Sequence, residues 1–200
     1  MISASPYHEI PQVNWGGVTD HLLARHPLKA EELVEVVLSS WEAIFQTRIG
    51  PTGYRIGVDI EPQPQIMGFL LHELIPLEFQ QRYPGMWCRQ RTRIDKDLVS
   101  LADVKYSVEI KTSSNPTNVF GNRSYAQPSK TGEIGRKGKA GYYLTVNFEK
   151  FTGKNAPKIL MVRFGWLDHA DWIPQTAATG QQARLTPAAY KFKLRTLFPS

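Results

Sequence analysis

Two runs of alternating residues, joined by a short turn, constrain the fold of this 200-residue chain more than any other feature. They read I-D-K-D-L-V over residues 94–99 and Y-S-V-E-I-K over residues 106–111. A period of two is typical of a pleated β-strand, whose successive side chains point to opposite faces. Because the connecting segment L-A-D-V-K is short, we predict that the two runs form one β-hairpin.

The register of this hairpin would gather charged side chains on one face. With Asp103 at the centre of the turn, Asp97 faces Glu109 and Asp95 faces Lys111. Directly opposed carboxylates repel each other, so a cation is expected beside them. Mg²⁺ fits this role, because it prefers oxygen ligands and retains several waters. The pattern therefore favours a metal-dependent phosphodiesterase. Asp97 and Glu109 would bind the metal, and Lys111 would bind the scissile phosphate or the attacking water.

A purely structural interpretation of the same residues stays open. Asp95 and Lys111 would then form a cross-strand salt bridge, while Asp97 and Glu109 would face solvent. Acidic and basic side chains are common in exposed hairpins, and opposite charges in cross-strand pairs stabilise a sheet modestly. The spacing alone does not choose between the two interpretations.

The order of these residues resembles the PD-(D/E)XK nuclease signature, with Asp97 first and Glu109-Ile110-Lys111 on the next strand. Lys96 precedes Asp97 where that signature has proline. Longer stretches between about residues 57 and 185 resemble small type II restriction endonucleases, in particular the ScaI-type group. They include V-E-I-K-T-S-S, F-G-N-R-S-Y-A-Q, R-F-G-W-L-D-H-A-D-W and T-A-A-T-G-Q-Q-A-R-L.

The resemblance implies an α/β, restriction-endonuclease-like fold, in which a mixed sheet is flanked by helices. It also implies Mg²⁺-dependent, sequence-specific hydrolysis of double-stranded DNA. A symmetric homodimer is expected, because cutting both strands of a palindrome needs two sites related by the two-fold axis of the DNA. A companion methyltransferase of the same specificity would protect the host. A PD-(D/E)XK nuclease of DNA repair and a DNA-binding module without catalysis are the alternatives.

Composition agrees with this interpretation without proving it. The chain carries 24 Lys and Arg against 18 Asp and Glu, and a net charge of +6 suits a polyanionic partner. Its length predicts one nuclease domain over residues 1–200. We divide it into a helical and loop region (1–60), a catalytic core (61–165) and a C-terminal loop and helix (166–200). No apolar run approaches the ~20 residues that span a bilayer, and the N-terminus lacks a signal-peptide pattern, so we expect a cytoplasmic protein.

Two helices are predicted before the hairpin. Apolar residues recur at helical spacing over residues 29–46 and over residues 66–83, and Pro76 should kink or split the second helix. Nucleases of the resembling kind often direct a glutamate from this helix towards the metal, which makes Glu73 and Glu78 candidates. Both residues would otherwise be solvated charges on the helix surface.

Candidate DNA contacts follow the hairpin. Glutamine pairs well with adenine and arginine with guanine in the major groove, whereas lysine and arginine also bind phosphate. The alternative is that these polar segments are ordinary exposed loops. We predict a short basic helix over residues 186–200, and a polar turn rather than a metal cluster at D-H-A-D near residue 170. The DNA-contact candidates are Asn122, Arg123, Lys137, Gln181, Gln182 and Arg184.

Overall fold

The computed structural model describes residues 5–122, 138–153, 156–174 and 182–199. Within these ranges the α-helices are α1 (Trp15–Arg25), α2 (Ala30–Gln46) and α3 (Pro64–Arg82). The strands are β1 (Arg48–Ile49), β2 (Tyr54–Arg55), β3 (Trp87–Arg89), β4 (Leu98–Ser100), β5 (Val108–Ser113), β6 (Phe120–Asn122), β7 (Gly141–Phe148), β8 (Ile159–Leu167), β9 (Trp172–Pro174), β10 (Gln182–Leu185) and β11 (Leu194–Phe198). In the described ranges, no helix is long and apolar enough to cross a membrane.

A mixed sheet is the centre of the fold. Its strands lie in the order β11-β8-β7-β5-β4-β3. β5 and β7 run parallel, and the other neighbouring strands run antiparallel. A smaller antiparallel sheet has the order β6-β10-β9, and β1 pairs with β2. The predicted α/β fold, a mixed sheet flanked by helices, is confirmed.

Both faces of the central sheet are covered, which is why all eight residues of β7 are buried. On one face, Val108 and Ile110 of β5 pack in the same apolar cluster as Leu71 and Ile75 of α3. On the other face, a second cluster joins Tyr143 and Leu167 of the central sheet to the smaller sheet. β5 therefore lies in the interior, with helices on one side and the smaller sheet on the other.

Gly68 allows α3 to pack closely against β5. A Cβ atom at this position would lie 2.6 Å from the Thr112 Oγ1 atom of β5, which is closer than van der Waals contact permits. His72 lies one helical turn further along α3 and so extends from the same face of the helix. The missing side chain at Gly68 thus brings the middle of α3 next to the strand that carries Glu109 and Lys111.

The hairpin has the predicted register but a shorter first strand. Leu98 pairs with Val108, as expected for a turn centred on Asp103. The prediction that the strand begins near residue 94 was wrong, because residues 92–97 form bends and turns and β4 begins at Leu98. Tyr106 also lies outside the strands, in a short 3₁₀ turn.

α2 and α3 match the predicted helices closely, and Pro76 does not split α3. The C-terminal segment differs from the predicted loop and helix. It contains β9, β10 and a short π-helical turn over Ala189–Lys193, and it ends in β11, which pairs with β8 at the edge of the central sheet.

The polar turn near residue 170 is confirmed, and it explains an unexpected buried lysine. Asp168 and Asp171 form a capping box around the 3₁₀ turn His169–Asp171. Lys193, which lies in the predicted basic helix, donates hydrogen bonds to Asp168 Oδ2 at 2.8 Å and to both Asp171 carboxylate oxygens at 2.9 Å. A buried ammonium needs such paired acceptors, so these aspartates hold the C-terminal segment in place.

His26 makes the stability of the fold depend on pH. It is 1% exposed, accepts a hydrogen bond from the Leu28 N–H at Nδ1, and has Nε2 3.0 Å from the Tyr106 carbonyl oxygen. Burial lowers the pKa of His26 to about 4, although the backbone contacts oppose this shift. The neutral ring is therefore favoured in the folded state, whereas in the unfolded chain the ring gains a proton near pH 6.5.

We expect the free energy of unfolding to fall by about 2 kcal/mol between pH 7 and pH 5 because of His26. The contribution is complete above pH 6.5 and is lost as the pH falls towards 4. Urea unfolding of the wild type and of His26→Gln at pH 7, 6 and 5 would measure it. Glutamine does not titrate, so its curve should be flatter. Equal pH dependence in both proteins would show that His26 is not the group responsible.

Candidate active site and DNA-binding surface

Asp97 lies directly before β4 and faces an open cleft of about 1090 Å³. Its Oδ2 atom accepts a hydrogen bond from the Ile110 N–H at 2.7 Å, and its side chain is 13% exposed. Ile110 separates Glu109 from Lys111 on β5. The hydrogen bond therefore holds the Asp97 carboxylate against the backbone between the other two candidate residues.

Glu109 and Lys111 form a close ion pair beside Asp97. The Lys111 Nζ atom donates to Glu109 Oε1 at 2.6 Å, and the Glu109 side chain is 2% exposed whereas that of Lys111 is 13% exposed. Residues two apart on a strand share one face, so the geometry follows from the strand itself. Burying either charge alone would be costly, and the pairing offsets much of that cost.

The cross-strand salt bridge between Asp95 and Lys111 is not formed. Instead the Asp95 Oδ2 atom accepts hydrogen bonds from the backbone N–H groups of Thr92 at 2.7 Å and Arg91 at 3.1 Å. Partial burial raises the pKa of Asp95, but these donors outweigh it and hold the pKa below its usual range. Asp95 thus stabilises the turn before β4, and the structural interpretation of the hairpin charges was wrong on this point.

α3 contributes a histidine to the site. His72 Nδ1 lies 3.6 Å from Asp97 Oδ2, and both side chains line the cleft. Glu73, one of the two candidate glutamates of α3, lines the same cleft, where its Oε2 atom lies 3.4 Å from Arg89 Nη1. Glu78 forms an ion pair with Arg82 on the helix, as its surface alternative predicted.

Sequence analysis did not single out three arginines that share the cleft with Asp97. Arg89, Arg91 and Arg93 all line the cleft that Asp97 faces. The alternating arginines of R-Q-R-T-R, directly before the predicted hairpin, were the available signal.

Three of the six predicted DNA contacts can be located. Gln182 and Arg184 point outward from β10, whereas Ala183 and Leu185 between and after them are buried. Asn122 is the exposed β6 partner of Gln182. Gln182 lines the cleft of Asp97, and Arg184 lines a second cavity of about 580 Å³. The remaining three, Arg123, Lys137 and Gln181, lie outside the described residues.

Comparison with known proteins identifies the family. The family model for the ScaI restriction endonuclease matches residues 5–198, which is nearly the whole chain. The chain belongs to the ScaI restriction endonuclease family. The type II restriction enzyme ScaI of Streptomyces caespitosus is 48% identical to it over 187 residues, which cover 92% of this chain and 80% of that enzyme.

A solved structure of the restriction endonuclease BglI, bound to its DNA recognition sequence, aligns with this ScaI-family chain. The alignment covers 92% of this chain and 88% of the BglI chain. The TM-score is 0.41 and the sequence identity is 8%. Membership of the ScaI family, which rests on the sequence matches, confirms the predicted class of enzyme. The protein is a type II restriction endonuclease, which cleaves DNA.

The acidic groups of this ScaI-family site suit a hard cation. Among the described residues, no three His, Cys, Asp or Glu side chains are grouped so as to hold a metal ion by themselves. Two carboxylates, Asp97 and Glu109, are what the site offers. Mg²⁺ is commonly bound through one or two carboxylates while it keeps waters and binds substrate phosphate, whereas Zn²⁺ sites usually need three or four protein ligands. The residues present therefore fit Mg²⁺.

Proposed function

We propose that this ScaI-family enzyme hydrolyses phosphodiester bonds of double-stranded DNA at one defined sequence, using Mg²⁺ bound by Asp97 and Glu109. The observation that carries the proposal is the hydrogen bond from the Ile110 N–H to Asp97, which joins Asp97 to the backbone between Glu109 and Lys111. Asp97 lines an open cleft that also holds arginines, and the Glu109–Lys111 ion pair flanks the backbone N–H that Asp97 accepts from. An acidic centre within a basic cleft is suited to a bound polyanion.

Each protein group would have a distinct task in the reaction. Asp97, oriented by the Ile110 N–H, and Glu109, oriented by Lys111, would present carboxylate oxygens to the metal. When bound, Mg²⁺ polarises the phosphate and lowers the pKa of the attacking water. The Lys111 ammonium would hold that water through a hydrogen bond. Alternatively, Lys111 would first lose a proton and then, as the neutral amine, accept a proton from the water. It would also place positive charge beside the negative charge that develops on the phosphorane.

The exposed face of the β6–β10 pair supports a role in recognition. Gln182, Arg184 and Asn122 point away from the core and have donors that suit base edges or phosphates. Gln182 borders the cleft of Asp97, so a duplex bound there would lie against this strand pair. Arg123, Lys137 and Gln181 remain proposed DNA contacts on the strength of their residue types.

We further propose a symmetric homodimer, because one copy has one such site and a palindrome has two scissile bonds. A methyltransferase of the same specificity would protect host DNA. The enzyme would act in the cytoplasm, where it meets that DNA. The two apolar clusters lie on opposite faces of one central sheet, and this supports a single nuclease domain.

Digestion of a plasmid of known sequence tests the proposal. With Mg²⁺ present, the wild type should give discrete fragments, and mapping their ends should identify one shared sequence. Omission of Mg²⁺ with EDTA should prevent cleavage. Degradation from DNA ends, or cleavage at junctions irrespective of sequence, would instead indicate a repair nuclease. Binding with no cleavage under any divalent metal would contradict the catalytic role.

Arg184→Ala should reduce the preference for the mapped site over a scrambled duplex. A base-reading contact is worth about 1–3 kcal/mol of discrimination, whereas a phosphate contact weakens binding to all sequences alike. Lys137→Ala is the comparison, since a lysine in a basic stretch should weaken both duplexes equally. Binding titrations of both variants on both duplexes would measure the specificity ratio. An unchanged ratio for Arg184→Ala would make that residue an anchor on the DNA backbone.

A further inference from the structure

The turn between β3 and β4 brings three arginines to the entrance of the site. Arg89 ends β3, and Arg91 and Arg93 follow at alternate positions. All three are exposed and line the cleft that Asp97 faces. We call residues 89–93 the arginine turn.

The arginine turn is tied to the residue that would bind the metal. The Gln90 N–H donates to the Asp97 carbonyl oxygen at 3.0 Å, and the Gln90 side chain donates to the Thr92 carbonyl oxygen at 2.8 Å. Asp95 accepts from the backbone N–H groups of Arg91 and Thr92. These bonds hold the backbone of the turn at a set position relative to Asp97.

Two of the three guanidinium groups are available to a ligand. Arg89 Nη1 lies 3.4 Å from Glu73 Oε2. In the part of the chain that the structure describes, no carboxylate oxygen lies within 4.0 Å of the side-chain nitrogens of Arg91 or Arg93. Two exposed arginines that lie in one cleft and form no close ion pair with a described carboxylate make an electropositive surface that favours an anion.

We propose that the arginine turn binds DNA phosphates next to the scissile one and so sets the position of the strand relative to Asp97. This inference rests on the proposed active site. Asp97 can act only on a phosphate that enters the cleft, so the nearest charged groups of the same strand are the two adjacent phosphates. Arginine binds phosphate with two parallel hydrogen bonds, which fix orientation as well as distance. A backbone contact is therefore favoured over base recognition.

Binding titrations with Arg91→Ala and Arg93→Ala test this proposal. The probes are a duplex carrying the mapped cleavage site and a scrambled duplex of equal composition, without Mg²⁺, at several KCl concentrations. Each variant should weaken binding to both duplexes by the same factor, about tenfold. Each should also lower the slope of log Kd against log salt by about one. Arg25→Ala, which removes an exposed arginine at the end of α1, should change neither quantity.

Asp95 acts as a positioning residue in this proposal, and the sign of its effect is informative. Loss of a negative charge beside DNA should by itself tighten binding. Asp95→Ala should nevertheless weaken binding to both duplexes, because the backbone N–H groups of Arg91 and Thr92 lose their acceptor. Asp95→Asn keeps an acceptor oxygen and should bind more tightly than Asp95→Ala. Tighter binding by Asp95→Ala than by the wild type would overturn the positioning role.

Two results would overturn the phosphate contact itself. If Arg91→Ala and Arg93→Ala weaken binding to the mapped duplex only, the arginine turn reads bases. If both variants keep the wild-type affinity and salt slope, the arginine turn does not contact DNA. Thermal unfolding of each variant shows whether it is folded. Failure of the proposed active site would be seen separately, as Mg²⁺-dependent cleavage that survives Asp97→Asn, because the binding assay contains no metal.

Discussion

Asp97→Asn and Glu109→Gln should each reduce Mg²⁺-dependent DNA cleavage to background while DNA binding stays intact or becomes tighter. Each change removes one of the two carboxylates that would bind the metal, and it also removes repulsion towards phosphate. Asparagine at 97 keeps an acceptor oxygen for the Ile110 N–H, so the local backbone should be retained. Cleavage time courses and binding titrations on the mapped duplex would measure both effects.

Glu78→Gln is a matched control for this prediction. It removes a carboxylate from α3 that pairs with Arg82 on the helix surface, and cleavage should continue at the wild-type rate. Wild-type rates for Asp97→Asn or for Glu109→Gln would exclude the corresponding carboxylate from catalysis. Loss of binding together with cleavage would instead point to a damaged fold, which urea unfolding would detect.

Lys111→Met should lower the cleavage rate at least about 100-fold, the scale expected for a positioned acid-base or electrostatic group. Methionine fills similar space but carries no charge and no donor. The change also leaves Glu109, with its 2% exposed side chain, without the ammonium that lies 2.6 Å away. Breaking a buried ion pair costs roughly 3–5 kcal/mol of stability, so part of the loss could reflect unfolding.

The double variant Lys111→Met with Glu109→Gln tests the effect on stability. It removes both charges, so it should be more stable than Lys111→Met alone. It should also be inactive, because the metal ligand and the ammonium are both missing. Chemical unfolding and single-turnover cleavage of Lys111→Met, measured on the same preparation, separate lost stability from lost catalysis. A folded preparation of Lys111→Met that cleaves at the wild-type rate would contradict the catalytic role of Lys111.

Local sequence determined the hairpin and the grouping of its charges. A period of two and a short turn specify which residues face each other, and Leu98 does pair with Val108. Glu109 and Lys111 share a face because they are two apart on one strand. The amphipathic helices were equally predictable, since apolar residues at helical spacing must be buried on one side.

Tertiary structure decided which other groups reach the site. Asp95 is a local exception: it belongs to a turn and not to the strand, because its carboxylate accepts from the backbone N–H groups three and four residues earlier, which alternation alone does not reveal. The contact of His72 with Asp97 depends on how α3 is rotated and on how closely Gly68 lets it approach β5. Helical periodicity predicts which face of a helix is apolar. It does not predict which polar residue at the border of that face contacts a given strand.

The C-terminal segment shows the same division most clearly. Its basic residues suggested an exposed helix, yet residues 194–198 pair with β8, and Lys193 is buried between two aspartates. Strand formation there depends on the edge of β8, which supplies hydrogen-bond partners from a distant part of the chain. The sequence by itself determined the local periodicity, the charged hairpin and the enzyme family. Contacts between distant segments decided the C-terminal strand, the burial of Lys193 and the position of His72. These contacts stabilise the fold only once both partner surfaces have formed.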